Sequence, residues 1–313
     1  MQKGYKSILF TGSAVLSTAC LLMIFLSTKL DVFAFASEYI MHIMLIYIGL
    51  GLVALSFDQK RIMVMCLLSS ALIAFYLKMA SNPDLIIAGP SSDSRIKVSL
   101  IDLKACEGAE SFPLKTIKEN QAHIISFQHY NEYWNNLIQI QLYKTYPYIY
   151  KWHPSEEEGL AIYSSVPFDS SYTLNFDAVP NAVIDFNFEN QIFHLVSSYF
   201  PFEENVAIQD KSALLDSMAA FINELDGHVL NLGHYNEYYW SRAIIEYRKL
   251  ASLENSRRQI DWQQGKVPQD HIFHSDQLRC ISLEELYTDQ KIHVGLHANY
   301  VIEKSRSRSL TMN

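Results

Sequence analysis

The pentapeptide His-Tyr-Asn-Glu-Tyr occurs twice in this chain, at residues 129–133 and 234–238. Each copy follows an apolar run with strand character, His123–Gln128 and His228–Gly233. Histidine at the end of a strand can serve as a metal ligand or as an acid–base group near neutral pH. Two such ends would offer the same side chains to one mouth. Five identical residues are also within the reach of chance, and no longer repeat accompanies them. Several other chemistries lack their marks. There is no Gly-x-Ser-x-Gly nucleophile elbow, no phosphate-cradling glycine loop and no Cys-x-x-Cys pair. Of the four cysteines, Cys20 and Cys66 lie in apolar stretches and read as small apolar residues. Cys106 and Cys280 lie in the more polar part, where an oxidising compartment would permit a bridge between them.

The elements that must position these residues divide by composition. Residues 1–80 are mostly apolar. The remainder has the mixture of an ordinary α/β domain, large enough to bury its own core. Three apolar runs, at 7–28, 39–57 and 62–80, each approach the length of a membrane-spanning helix. His42 lies within the second and Lys78 near the end of the third. Lys3, Lys6, Lys60 and Arg61 fall on one side of these runs; Lys29, beside Asp31 and Glu38, falls on the other. That basic excess places the N-terminus in the cytoplasm, so three spans leave the polar domain outside it.

Residues 81–95, with Asn82-Pro83 and Gly89-Pro90, read as a linker. Strands are expected at Ile96–Leu103, His123–Gln128, Gly159–Ser164, Ala182–Phe188, His194–Tyr199, His228–Leu232, His271–His274 and His293–Glu303. Helices are expected at Phe112–Asn120, Tyr133–Tyr143, Asp210–Leu225 and Trp240–Leu250. Strands that both alternate with helices and pair directly point to layered α/β or α+β architecture. Residues 305–313 read as a loose tail. The net charge of −8 argues against a general nucleic-acid binder, which needs a basic face. Tyr143, Tyr146, Tyr148, Tyr150 and Trp152 cluster, as do Tyr235, Tyr238, Tyr239 and Trp240. Such groups suit an interface and suit a core equally. Tyr199-Phe-Pro-Phe202 reads as a further apolar edge.

Taken in order, the landmarks of the polar part resemble the endonuclease/exonuclease/phosphatase superfamily. Val229-Leu-Asn-Leu-Gly-His-Tyr-Asn236 is similar to that family's apolar strand ending in Gly-Asp-Phe-Asn. Ile96–Lys104 resembles its first strand, and Ile124-Ile-Ser-Phe-Gln-His129 its strand ending in Gln-Glu. Glu158-Gly-Leu-Ala-Ile-Tyr-Ser-Ser-Val-Pro167 resembles its glycine–aliphatic–Ser–x–Pro hairpin, and Phe193-His-Leu-Val-Ser-Ser198 its strand ending in Thr-His. Trp240-Ser241, Trp262 and Asp270-His271-Ile-Phe273 resemble the segment around its Asp-His-Ile strand, and Gly295-Leu296-His297 its terminal Ser-Asp-His. The resemblance implies a domain over 96–304 with a four-layer fold, two β-sheets between helices, and a site at one edge of the sandwich. Three spans before such a domain also resemble a bacterial membrane-anchored arrangement, with the domain facing the periplasm or exterior.

The family chemistry so implied is metal-assisted phosphoester hydrolysis, in which a Mg²⁺-type ion takes hard oxygen ligands and a base activates water. Carried over residue by residue, the first-strand Asn becomes Asp102 and the metal-binding Glu becomes His129. The His of Thr-His becomes Ser198, the Asp of Gly-Asp-Phe-Asn becomes His234, and the terminal Asp becomes Leu296. Asn236 and His297 are retained at their positions. So is the Asp270-His271 pair, which can instead order the neighbouring loop. The expectation is a catalytically inactive domain without a cofactor, acting in binding, assembly or regulation. It would touch the bilayer and a protein partner in a membrane complex, and no nucleic acid. The alternative is an active metal-dependent phosphoesterase with Asp102, His129, His234 and His297 around Zn²⁺ or Mg²⁺/Mn²⁺.

Overall fold

In Arg95–Asp102 the side chains of Ile96, Val98 and Leu100 share one face, and the intervening Ser99 and Ile101 the other. That alternation makes the segment a strand with two covered faces. The computed structural model describes residues 2–27, 36, 39–82, 95–152, 159–176, 179–200, 211–258 and 269–302. Residues 83–94 of the expected 81–95 linker, the expected tail 305–313, and Lys29, Asp31 and Glu38 lie outside the described residues, as do Pro201-Phe202 and Trp262.

The chain forms two units, residues 1–83 with 238–246, and residues 84–237 with 247–313. The first contains α1 (Gln2–Leu26), α2 (Ile40–Ser56) and α3 (Lys60–Ala80). Three spans were expected. Among the described residues one helix, α3, is long and apolar enough to cross a membrane by length and composition. The 17 residues of α2 reach about 26 Å, short of a hydrocarbon core of about 30 Å. Among the described residues the apolar part of α1 is Phe10–Leu26, in the same length range as α2.

The second unit carries two six-stranded sheets. The first contains β1 (Arg95–Asp102), β2 (Ile124–Gln128), β3 (Tyr148–Trp152), β4 (Leu160–Ser164), β11 (Leu278–Tyr287) and β12 (His293–Ile302), in the order β11-β12-β1-β2-β4-β3. The second contains β5 (Ser170–Phe176), β6 (Val179–Phe188), β7 (Gln191–Tyr199), β8 (His228–His234), β9 (Leu253–Asn255) and β10 (Asp270–Ser275), in the order β5-β6-β7-β8-β10-β9. Each sheet has one parallel pair, β1 with β2 and β7 with β8, flanked by antiparallel neighbours. The two orders therefore match strand for strand. The second strand of each parallel pair leads into one copy of the pentapeptide.

The inner faces meet in a core of Ile96, Val98, Leu100, Ile124, Ile184, Leu195, Leu230, Leu232, Leu296 and Tyr300, among others. Each fully buried aliphatic there contributes about 1.5–3 kcal/mol. The outer face of the first sheet is covered by α4 (Ser111–Asn120) and α5 (Glu132–Leu142). In α5, Trp134, Ile138 and Leu142 recur every four residues and face inward. Asn131 caps its start, with Oδ1 accepting the Trp134 N–H at 3.0 Å. In α6 (Lys211–Asn223) the apolar stripe is Leu214, Leu215, Met218, Ala219 and Ile222. Tyr247, on α7 (Arg242–Leu250), packs edge-on to Phe273 at 6.0 Å, on the outer side of the second sheet.

Tyr148–Trp152, read from sequence as an aromatic cluster, is the edge strand β3. Tyr146, Tyr235, Tyr239 and Trp240 are buried, whereas Tyr143 and Tyr148 are exposed. Cys106 and Cys280 form no bridge, because they belong to separate clusters, the first outside its sheet and the second between the sheets.

Candidate active site

The C-terminal ends of the two parallel pairs build one mouth. On the first sheet Asp102 ends β1 beside Gln128, the last residue of β2. Gln128 Nε2 donates across the sandwich to Ser198 O at 2.8 Å. The next residue, His129, turns into the left-handed region at φ 52°, an uncommon conformation for a non-glycine residue. Its ring folds back so that Nδ1 meets Asp102 Oδ1 at 2.7 Å. The same carboxylate oxygen accepts the Lys104 N–H at 2.9 Å. The His129 ring also stands edge-on to Tyr199, 5.1 Å between centroids.

On the second sheet Tyr199 lies beside His234, and His234 lies beside Asp270 of β10. His234 Nδ1 bonds Asp270 Oδ1, and its Nε2 meets Asn236 Oδ1 at 2.7 Å. Asn236, at φ 54°, takes the left-handed turn that asparagine tolerates well. The two pentapeptides thus repeat a construction. Each begins with an imidazole braced at Nδ1 by a carboxylate from the neighbouring strand. Each continues with a fully buried tyrosine, Tyr130 or Tyr235. They diverge at the third residue, where Asn131 caps a helix and Asn236 holds His234.

Three further residues complete the mouth. Asp270 Oδ2 lies 3.3 Å from His293 Nδ1, and His293 Nε2 lies 2.6 Å from Glu285 Oε2. The buried Arg257 guanidinium pairs with Glu285 and donates to Asp270 O at 2.9 Å. Charges act across the cluster. Burial alone would lower His234, but the charge and hydrogen bond of Asp270, the charge of Asp102 and the Asn236 contact together raise it above its ordinary value. Burial alone would raise Asp270, yet His234, His293 and His271 outweigh it and hold the carboxyl below its ordinary range. Burial, Arg257 and His234 lower His293 against the pull of Asp270 and Asp102.

The structure gathers Asp102, His129, His234, Asn236 and Asp270, and separates the rest. Ser198 Oγ donates to Asn181 Oδ1 at 2.6 Å and accepts from Asn231 Nδ2, in a buried chain ending on Tyr235 and Tyr247. His271 points away from Asp270 and donates from Nε2 to Glu237 O at 2.8 Å. Leu296 and His297 were expected at the mouth and are not there. Gly295, at φ 149°, bulges β12. Val294 consequently faces the outer cluster, while Leu296, Ala298 and Tyr300 face the inter-sheet core. His297 bonds Ser99 on β1, Nδ1 to Oγ at 2.9 Å. The strand opens on His293, and that histidine reaches Asp270. A mid-strand glycine followed by a change of apolar parity was the signal that could have found it. Nothing in the local sequence marked Arg257 or Glu285.

His297 consequently has a structural role with a pH signature. Burial first, and Lys97 second, hold it down to about 4. Above pH 6.5 both folded and unfolded states are neutral there. As pH falls from 6.5 toward 4 the unfolded chain takes the proton first. Stability worth roughly 3 kcal/mol is lost across that window. His297→Gln should remove this part of the acid slope in denaturant titrations at successive pH values.

The residues present do not fit the magnesium-type ion that the resemblance implies. Such an ion needs carboxylate oxygens aimed at one point. Asp102 is turned onto His129, Asp270 lies between two imidazoles, and Glu285 lies between His293 and Arg257. Among the described residues no group of three or more His, Cys, Asp or Glu could hold a metal. The four-ligand zinc set is also broken, since His297 faces the other side of its sheet.

No protein-family profile and no curated protein matches the chain. Solved structures do. D. rerio TDP2 complexed with a single-strand DNA product matches with a TM-score of 0.56 at 13% identity, covering 66% of this chain and 99% of that one. An endonuclease/exonuclease/phosphatase from Bacteroides vulgatus gives 0.54 at 14%, covering 67% and 100%. The human Nocturnin catalytic domain with bound sulfate gives 0.54 at 13%, covering 67% and 95%. Likeness at these identities establishes architecture: the sandwich of this chain has the fold of the endonuclease/exonuclease/phosphatase proteins.

Proposed function

We propose that this chain is a membrane-anchored protein whose endonuclease/exonuclease/phosphatase-type domain has given up divalent-metal hydrolysis and serves as a binding domain in a membrane complex. One observation carries the reading. Every carboxylate at the mouth is already matched by a cation or imidazole of the chain itself: Asp102 by His129, Asp270 by His234 and His293, and Glu285 by Arg257 and His293. A divalent ion would have to displace these partners, and breaking a buried pair costs about 3–5 kcal/mol.

Anchoring is supported by the surface of the helical unit. Leu45, Ile46, Leu50, Leu52, Val53 and Leu55 on α2 and Val64, Leu68 and Phe75 on α3 are all exposed. Apolar surface of this extent is what lipid covers. The basic residues put the N-terminus in the cytoplasm, and the sandwich on the outer side of a bacterial cytoplasmic membrane. Protease added to spheroplasts should then cut the sandwich and spare the residue 57–61 turn.

The activity in question is the phosphoester cleavage that the sequence resemblance implies; the neighbours are described as TDP2 with a single-strand DNA product and as a Nocturnin catalytic domain. Purified full-length protein with Mg²⁺ or Mn²⁺ should hydrolyse generic phosphodiesters and phosphomonoesters no faster than background. Robust metal-dependent turnover that is lost in His234→Ala would overturn the proposal.

A further inference from the structure

We propose that the helical unit holds one anionic phospholipid, with an acyl chain in a cavity bounded by α1, α2 and α3 and its phosphate at the Lys60–Arg61 turn. This rests on the membrane-anchored reading and names the lipid that the anchor selects. The packing of the helices creates the cavity. Gly51 brings α2 close to α3, since a Cβ there would stand 3.3 Å from Leu67 Cδ2. Phe25 of α1 meets Tyr76 of α3 edge-on, with 5.7 Å between centroids. Toward its start α1 presents Ser13, Ser17 and Cys20 on one face, a helical turn apart. Side chains that small do not fill the gap beside α2, and a cavity of about 670 Å³ remains.

The walls select an apolar guest. Ile43, Ile46, Leu50, Val53 and Ile62 supply much of the lining. The serine hydroxyls are already used: Ser13 donates to Phe10 O at 2.9 Å, and Ser17 shares a hydrogen bond with Tyr47. A cavity of this kind offers water few partners and takes up an apolar molecule instead. Ile46, Leu50, Val53 and Phe57 line it and are also exposed, so it opens sideways onto the surface that lipid covers. Its dimensions fit a hydrocarbon chain. From Ile43 to Phe57 it follows α2 for about 21 Å, more than the depth of one leaflet at about 15 Å. Spread over that length, the volume leaves a channel roughly 6 Å wide, narrower than a helix with its side chains at about 10–12 Å.

Charge at one end selects the headgroup. Gln59 and Ile62 line the cavity, and Lys60 and Arg61 stand between them, both exposed. Asp58, 3.8 Å from Lys60 Nζ, offsets one of the two positive charges. At the same place α3 starts without a side-chain cap and without an acid in its first turn, so the helix dipole adds to the remaining charge. An anionic phosphate is drawn there, whereas a zwitterionic headgroup brings a cation of its own.

The test uses full-length protein, delipidated in mild detergent, with phosphatidylglycerol or phosphatidylcholine added back. Native mass spectrometry counts the lipid retained. One phosphatidylglycerol per chain should stay bound, preferred over phosphatidylcholine by a factor of roughly five for one net charge. Lys60→Gln combined with Arg61→Gln should abolish the preference while circular dichroism shows unchanged helicity. Ser13→Leu, which fills the cavity, should remove both lipids. Leu68→Phe, exposed and outside the cavity, should remove neither. Equal retention of both lipids by the wild type, or retention that Ser13→Leu leaves intact, overturns the proposal. So does a dimer that Ser13→Leu dissociates, because a helix of a second copy then fills the cavity. Alkaline carbonate separates the two possible failures. A chain that stays in washed membranes yet holds no phosphatidylglycerol overturns this proposal alone, whereas a chain released into the wash overturns the anchored reading as well.

Discussion

Gly295→Ala is expected to cost the sandwich about 4 kcal/mol or more, enough to leave little folded protein. Two penalties fall on one atom. The φ of 149° lies in a region that L side chains rarely adopt. A Cβ there would also overlap the Leu100 carbonyl and crowd Ile101 Cα, and neither backbone can yield inside the central sheet. Gly108→Ala separates the two effects. Its φ is 80°, but nothing lies within 4 Å of the added carbon, so only the strain of about 1 kcal/mol applies. Urea titrations of the detergent-solubilised chain, followed by fluorescence of its four tryptophans, would compare them. Equal midpoints for the two variants would show that the bulge is not what fixes β12.

Asp270→Asn is the second large effect, about 3–5 kcal/mol. The substitution leaves His234 charged and buried without its carboxylate, and takes a partner from His293. The pH dependence identifies the cause. His234 is raised in the folded state, so its contribution is complete below its ordinary 6.5 and is lost as pH rises through the folded value. Asp270 is depressed, so its contribution is complete above its ordinary 3.8 and is lost as pH falls through the folded value. The gap between wild type and Asp270→Asn should therefore be widest between pH 3.8 and 6.5 and narrow on both sides. A gap independent of pH would mean that shape, not charge, explains the loss.

Much of the sandwich was legible because burial is periodic. The alternation in Ile96–Leu103 and the apolar runs His123–Gln128 and His228–Leu232 all became strands within two residues of their expected bounds. Leu278–Tyr287 was not legible, since charged Arg279, Glu284 and Glu285 interrupt its alternation and its role is set by pairing with β12. At the site, the doubled pentapeptide correctly marked two equivalent strand ends, because each histidine is fixed by its own strand. The terminal histidine went astray by four residues. A bulge changes which side chains face inward, and spacing alone does not reveal one. Arg257 and Glu285 were invisible for another reason: they matter only through contacts made across distant strands.

Asp270 gives one oxygen to each of two rings. Neither ring can exchange a proton without altering the field at the other. Titration of the trio must run in macroscopic steps that belong to no single residue. Proton resonances of His234 and His293 followed through pH should each bend twice, at shared midpoints, and any ligand that shifts one midpoint should shift its twin.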